Sequence, residues 1–97
     1  MTTNFGHLAD YPRVPLSILP TVIEAAPRLS AELGLNLFIK RDDMTGLAFG
    51  GNKTRQLEFY FGAAQAMHAD TILITGAVQS NYVRVAAAAA ARMGWEI

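Results

Sequence analysis

The chain has 97 residues, of which 52% are hydrophobic and 16% are charged, and the charged share lies below the quarter or so usual in globular domains. These proportions predict a well-buried α/β unit and exclude a disordered segment. Eight basic and eight acidic residues cancel, so we expect no nucleic-acid partner. The absence of cysteine excludes disulfides and thiolate metal sites, and we expect no metal.

Neither a signal peptide nor a membrane span is predicted. The first 13 residues lack a basic start followed by an apolar run. The longest apolar stretch, residues 85–91, is far shorter than the ~20 residues that a membrane span needs. We therefore expect a cytoplasmic protein that has no membrane partner.

The amino-terminal half predicts an arm, a helix and a strand. Three prolines between residues 12 and 20 favour an irregular arm over residues 1–20. Residues 21–33 predict one helix, or two short ones broken near Pro27, and Gly34 supplies a helix stop. Residues 35–43 begin with alternating apolar side chains, which predicts a strand that leaves into a charged turn.

The carboxyl-terminal half predicts alternating helices and strands. A glycine-rich loop, residues 44–52, precedes a helix over 53–68, and residues 71–76 form a short apolar strand. The apolar face predicted for that helix consists of Leu57, Tyr60, Phe61 and Ala64. A second helix spans residues 80–93, Gly94 ends it, and residues 95–97 open another strand. This order is typical of a parallel α/β sheet.

The unfinished last strand also predicts that the 97 residues are the N-terminal piece of a longer protein. Such a piece would be unstable and inactive by itself.

Two segments, GGNKT at 50–54 and GAVQSNYVR at 76–84, carry the candidate chemistry. Each follows a predicted strand and precedes a helix, which places both at the carboxyl edge of the sheet, where α/β proteins bind ligands. Free N–H groups at the two helix starts favour anions there. A purely structural interpretation is also open, because Ser80 and Asn81 are both strong helix caps.

Lys53 raises the question of a P-loop. Gly46 and Gly51 have P-loop spacing, but Asn52 separates Gly51 from Lys53, and one extra residue at a helix start rotates the lysine by about 100°. A glycine loop with an asparagine cap is a second interpretation. In a third, the neutral amine attacks a carbonyl to form a Schiff base, and pyridoxal phosphate is the usual aldehyde in amino-acid metabolism.

Three blocks of the sequence resemble one family. They are KRDD at 40–43, GLAFGGNKTRQLE at 46–58 and GAVQSNYVR at 76–84. In order and spacing they resemble the 1-aminocyclopropane-1-carboxylate deaminase/D-cysteine desulfhydrase family over residues 10–97. These enzymes depend on pyridoxal 5'-phosphate and have the parallel-sheet α/β architecture called fold type II. The resemblance implies that residues 1–52 begin a larger cofactor-binding domain and residues 53–97 a smaller α/β domain.

The resemblance also assigns roles to the site residues. Lys53 would hold the cofactor covalently and move a proton at the substrate carbon. Asn81 would bond the cofactor's ring oxygen, and Asn52 and Thr54 would line the cofactor. Ser80 would hold the substrate carboxylate or aid attack, and Asn81 and Tyr82 would also contact the substrate.

Two positions depart from the family pattern. Tyr82, beside the expected position of the substrate carboxylate, replaces the histidine common in desulfhydrases and the glutamine common in deaminases. Gln56 stands where a lysine is common, which would weaken cofactor binding if that lysine holds the phosphate.

Within the family, the block FIKRDDMTGLAFGGNK is more similar to the desulfhydrases. That similarity implies α,β-elimination of D-cysteine to pyruvate, sulfide and ammonia, in a protein that is a homo-oligomer at full length. Cyclopropane deamination and a sulfo-lyase reaction on cysteate are the alternatives within the family. An inactive α/β ligand-binding module is the alternative from another class.

Overall fold

The computed structural model describes residues 6–97, so the first five residues of the predicted arm lie outside it. A short 3-10 segment, Gly6–Asp10, opens the described chain, and an extended arm follows. The arm runs along helix α2 (Thr54–Ala66), where Val14 donates a backbone hydrogen bond to the Glu58 carbonyl. A side chain at Gly62 would collide with the arm, since its Cβ would lie 2.2 Å from the Pro12 carbonyl oxygen.

A hairpin-like unit follows the arm. Strand β1 (Ile23–Ala25) pairs antiparallel with strand β2 (Phe38–Lys40), with Glu24 opposite Ile39. Helix α1 (Pro27–Leu33) connects the two strands and ends at Gly34, whose φ of 67° is left-handed. The predicted helix over 21–33 is therefore wrong for residues 23–25. Pro27 favours the first turn of a helix and pushes the residue before it toward extended backbone, so the helix can begin only there.

The predicted strand over 35–43 is confirmed for β2 alone, because only residues 38–40 find a partner in β1. Both strands are solvent-exposed, and α1 has no buried residue.

The core lies between α2 and helix α3 (Asn81–Met93), and both predicted helices are confirmed. The fully buried apolar residues of the described chain belong to this core: Val14, Leu16, Leu57, Phe61, Val85, Ala86, Ala89 and Ala90. Three alanines of the run on α3, Ala86, Ala89 and Ala90, are fully buried in this core. Tyr60 does not join this face, since 54% of it remains exposed.

Residues 71–76 form one bridge rather than a continuous strand. Thr71 pairs in parallel with Glu96, and Ile72 donates to the Glu96 carbonyl oxygen at 2.9 Å. The parallel direction is as predicted, but only the short segment 95–97 lies alongside, so no longer ladder forms. Leu73 is 94% exposed, whereas Ile72 and Ile74 pack on the core.

Across residues 6–97, no helix combines the length and the apolar character that crossing a membrane would require.

Candidate active site

The first of the two loops, residues 44–53, is held closed by buried hydroxyl groups. The Thr45 hydroxyl accepts the Gly51 N–H at 3.0 Å and donates to the Gly51 carbonyl at 2.8 Å. The Thr54 hydroxyl lies 2.9 Å from that of Thr45, and both residues are fully buried. These bonds tie the start of the loop to the first turn of α2.

Four consecutive residues of this first loop have positive φ. The angles are 47° at Ala48, 70° at Phe49, 73° at Gly50 and 144° at Gly51. At Gly50 the backbone also has ψ of −166°, a combination that glycine alone adopts readily. A Cβ there would lie 2.5 Å from the Asp43 carbonyl oxygen. The glycine pair therefore makes a tight turn that a side chain would obstruct.

Lys53 emerges from this turn at the N-cap position of α2 and is half-buried. Within residues 6–97 its amine has neither a hydrogen-bond partner nor an ion-pair partner, and the first turn of α2 contains no acidic residue. The amine is thus available to react with a bound carbonyl compound.

The second loop, residues 75–80, leads into α3 and meets the first loop. Ser80 caps α3 by accepting the Val83 N–H at 3.3 Å. The Asn81 amide donates to Asn52 Oδ1 at 3.1 Å, and a Cβ on Gly51 would lie 3.1 Å from the same amide nitrogen. The structure thereby brings together Asn52 and Asn81, which neighbour Lys53 and Ser80 along the chain.

Two predicted site residues have different surroundings. Thr54 lies beneath the first loop, and its hydroxyl bonds Thr45 and the Gly51 carbonyl, which makes it a support for the loop. Tyr82 is half-buried against the core and lines a cavity of about 220 Å³. That cavity is formed with Leu57, Tyr60, Phe61, residues 71–74 and Ala86. The cofactor role of Thr54 and the substrate role of Tyr82 stay predictions.

Sequence reasoning missed the side chain that joins α3 to the first loop. Arg84 donates from Nε to the Ala48 carbonyl at 2.9 Å and from Nη2 to the Gly50 carbonyl at 2.8 Å. The residue stands inside the GAVQSNYVR block, yet nothing local in the sequence indicates a partner more than 30 residues away.

An ion pair brackets the first loop and was also missed. Arg55 donates from Nε to Asp42 at 2.7 Å, and the Thr21 hydroxyl donates to the same carboxylate at 2.6 Å. Arg55 and Thr21 lower the pKa of Asp42 to about 2, and the hydrogen bond from Arg55 contributes most. The carboxylate in turn raises the pKa of Arg55. Asp42 precedes the loop and Arg55 follows Lys53, so the pair holds the two ends of the loop together.

Glu58 is a buried carboxylate that fastens the arm to α2. It accepts the N–H groups of Leu16 at 2.7 Å and Ser17 at 3.0 Å, and it pairs with Arg13. Burial raises the pKa of Glu58, but these backbone N–H groups and the Arg13 guanidinium more than offset that effect, so the pKa lies below its usual value. The arm in turn supports the first loop, since Ile18 donates to the Thr45 carbonyl at 2.8 Å.

These residues suit a cofactor that carries an aldehyde. The amine of Lys53 can react with an aldehyde, and the Asn81 amide can donate to a ring oxygen. No group of three metal-ligating side chains is found in the described part of the chain.

Comparison with known proteins identifies the class. Residues 14–97 match the family described as pyridoxal-phosphate dependent enzymes, and the chain belongs to that family. The family depends on pyridoxal phosphate, and the fold is the portion of fold type II that these residues cover. The predicted α/β fold class and the predicted cofactor are thus confirmed.

Individual relatives show which members of this family the chain resembles. D-cysteine desulfhydrases of Salmonella paratyphi B and Salmonella enteritidis PT4 are each 51% identical over 88 residues, which are 91% of this chain and 27% of each relative. A crystal structure of an ACC deaminase homologue superposes with a TM-score of 0.85 at 45% identity, again covering 91% of this chain and 27% of that one. The chain therefore spans about a quarter of the length of these relatives.

Proposed function

We propose that this chain is part of a pyridoxal-phosphate-dependent lyase that converts D-cysteine to pyruvate, sulfide and ammonia. One observation carries the proposal: the hydrogen bond between Asn52 and Asn81 joins the loop of Lys53 to the loop of Ser80. The 51% identity to proteins named D-cysteine desulfhydrase supports the choice of substrate.

Lys53 is the residue that holds the cofactor covalently in this proposal. When bound, pyridoxal phosphate supplies an electron sink for the negative charge that develops at the substrate carbon. The Lys53 amine then moves the proton at that carbon. Its position at the start of α2, with no competing partner in the described chain, supports both roles.

The remaining assignments follow the two loops. Asn81 donates to the ring oxygen of the cofactor, and Asn52 fixes the Asn81 amide through their hydrogen bond. Ser80 holds the substrate carboxylate, and we keep Tyr82 as a substrate-binding residue. Thr54 contributes by supporting the loop that lines the cofactor.

A second candidate is ACC deaminase activity, which the similarity to an ACC deaminase homologue favours. Both reactions begin with a small amino acid and both would use the same lysine. Cysteate sulfo-lyase activity is the third option. Tyr82 does not select among the three activities, because it is neither the histidine common in desulfhydrases nor the glutamine common in deaminases.

The deciding experiment uses the full-length protein with Lys53→Arg and, as the matched control, Lys40→Arg. Lys40 is the other lysine of these 97 residues, and it donates to the Thr21 carbonyl at 2.7 Å. We expect visible absorbance with pyridoxal phosphate in the wild type and in Lys40→Arg, and its loss in Lys53→Arg. Borohydride reduction followed by peptide mass spectrometry should place the cofactor on Lys53.

Activity is then measured on D-cysteine, 1-aminocyclopropane-1-carboxylate and cysteate in parallel. Sulfide release from D-cysteine supports the proposal, and turnover of only one of the other two compounds replaces it with the corresponding alternative. Cofactor binding without any turnover would indicate an inactive ligand-binding module. Unchanged absorbance in Lys53→Arg would refute the assignment of the lysine.

The domain boundary near residue 52, with a larger domain before it and a smaller one after it, is also a proposal. It falls at the end of the first loop, although Val14 and Leu16 pack with the helices that follow. The arm would therefore move with the second unit, and limited proteolysis can test this. A homo-oligomeric assembly and a cytoplasmic location are proposals that rest on the family resemblance.

A further inference from the structure

We propose that Arg84 is a positioning residue that sets the first loop, and with it Lys53, against the start of α3. The inference rests on the proposed function in one respect, namely that Lys53 anchors the cofactor. Its structural basis is independent of that function, because it consists of contacts between the loop and α3.

Arg84 provides most of the side-chain hydrogen bonds between α3 and the first loop. Among residues 6–97, three side-chain hydrogen bonds link α3 to the first loop. Two of them come from the Arg84 guanidinium, and the third comes from the Asn81 amide. The donor of the two guanidinium hydrogen bonds is charged, so they are stronger than the hydrogen bond from the neutral Asn81 amide.

The two carbonyls belong to the part of the loop with positive φ. Ala48 and Phe49 are not glycines, so their left-handed backbone persists only while surrounding contacts hold it. Arg84 bonds the Ala48 carbonyl and, two residues later, the Gly50 carbonyl. Its planar fork thereby spans the strained residues from one side and fixes the turn that leads to Lys53.

Arg84 is also rigidly linked to the second loop. It lies one turn into α3, where its N–H bonds the Ser80 carbonyl at 3.2 Å. The same short helical turn therefore carries Ser80, Asn81 and the guanidinium. Any shift of Arg84 relative to the first loop would change the distance between Asn81 and the backbone that precedes Lys53.

Arg84→Gln in the full-length protein removes the charge and one of the two donor directions. The matched control is Arg92→Gln, in the last turn of the same helix, where the arginine is exposed and has no side-chain hydrogen bond within the described chain. We expect the dissociation constant for pyridoxal phosphate to rise about fivefold in Arg84→Gln, less than a buried charged bond would give because Arg84 is exposed. The Arg92→Gln variant should match the wild type, and Arg84→Lys should recover part of the loss.

A second readout needs no cofactor. Amide hydrogen exchange over residues 47–53 should be faster in Arg84→Gln than in Arg92→Gln, while exchange in the centre of α2 stays unchanged in both. This pattern separates a released loop from general unfolding. If Arg84→Gln loses protection across α2 as well, Arg84 serves overall stability and the positioning role is refuted.

The outcomes distinguish this inference from the proposed function. If the wild type fails to bind pyridoxal phosphate at Lys53, the proposed function fails, whatever the exchange data show. If the wild type binds pyridoxal phosphate at Lys53 and Arg84→Gln binds it equally well, with the same visible spectrum, the positioning role is refuted while the proposed function stands. Weaker binding together with faster loop exchange, both partly restored in Arg84→Lys, supports it.

Discussion

The first loop, residues 44–53, and the second loop, residues 75–80, are joined through the hydrogen bond from Asn81, the first residue of α3, to Asn52, but they are held very differently. In the first loop, Thr45 and Thr54 are buried, and the Arg84 guanidinium donates hydrogen bonds to two backbone carbonyls of the loop. In the second, residues 75–79 are all exposed, and the hydrogen bond within the segment runs from the Ser80 N–H to the Ala77 carbonyl at 3.0 Å.

This difference matches the different tasks proposed for the two loops. A residue that anchors a cofactor covalently benefits from a fixed backbone, because preorganised groups need no rearrangement during reaction. The contacts that fix Lys53 lie within these 97 residues. The second loop depends on the Ser80 cap and the Asn52–Asn81 bond for its position.

The largest expected effect comes from adding a methyl group to the first loop. Gly50→Ala should lower the free energy of unfolding by about 3 kcal/mol, because it places a Cβ against the Asp43 carbonyl in a backbone region that only glycine favours. Urea denaturation of the full-length protein measures this loss. Gly34→Ala is the control, since that glycine has φ of 67° but nothing within 4 Å of the added Cβ. It should cost about 1 kcal/mol, and equal losses in the two variants would contradict the tight turn.

Removing one hydroxyl group from each loop compares them directly. Thr45→Val leaves the Gly51 N–H without its side-chain partner and removes one of the two partners of the Thr54 hydroxyl, and it should destabilise by about 2 kcal/mol. Thr75→Val alters an exposed threonine of the second loop and should stay within about 0.5 kcal/mol of the wild type. Denaturation curves recorded side by side test the pair. A larger loss for Thr75→Val would reverse the assignment of which loop is fixed.

Acid should destabilise the first loop, because protonation of Asp42 weakens the ion pair with Arg55 that holds the two ends of the loop together. Its pKa of about 2 lies below the ordinary 3.8, so Asp42 contributes stability above pH 3.8 that disappears as the pH falls through 2. Allowing for solvent screening of this partly exposed pair, the contribution is about 1 kcal/mol. Residues 75–81 contain no titratable side chain, so the second loop has no counterpart.

Unfolding free energies of the wild type and Asp42→Asn, measured from about pH 5 to about pH 2, test this linkage. The difference between them should be largest at the upper end and should have fallen to a small part of that value at the lower end, where Asp42 is about half protonated. Glu32→Gln, which changes an exposed carboxylate of α1, is the control and should follow the wild type. A constant difference across the range would show that Asp42 acts without its charge.

Among the contacts that hold the two loops, the Ser80 cap of α3 is expected to contribute least to stability. Ser80→Ala removes the α3 cap and should cost about 1 kcal/mol or less, whereas Ser80→Asp retains a capping oxygen and should cost little. If Ser80 also binds substrate, both variants lose activity while only the alanine variant loses stability. Thermal melts and sulfide release on the same preparations separate capping from substrate binding. Full activity in Ser80→Asp would leave capping as the role of this residue.

The sequence by itself determined the elements whose signals are local. The periodic apolar residues predict α2 and α3, Gly34 and Gly94 end their helices in the left-handed conformation, and Ser80 caps α3. The blocks around Lys53 and Ser80 indicate the family and the cofactor. Such features depend on a few neighbouring residues, so they can be read along the chain.

The tertiary structure decided what depends on distant partners. Residues 23–25 form a strand only because 38–40 lie beside them, and 71–76 form one bridge because only 95–97 lies alongside. Arg84 and Glu58 find their partners 34 to 45 residues away, which spacing along the chain does not reveal. The bonds of Arg84 act together with the local bonds of Thr45 and Thr54 to hold the loop that presents Lys53.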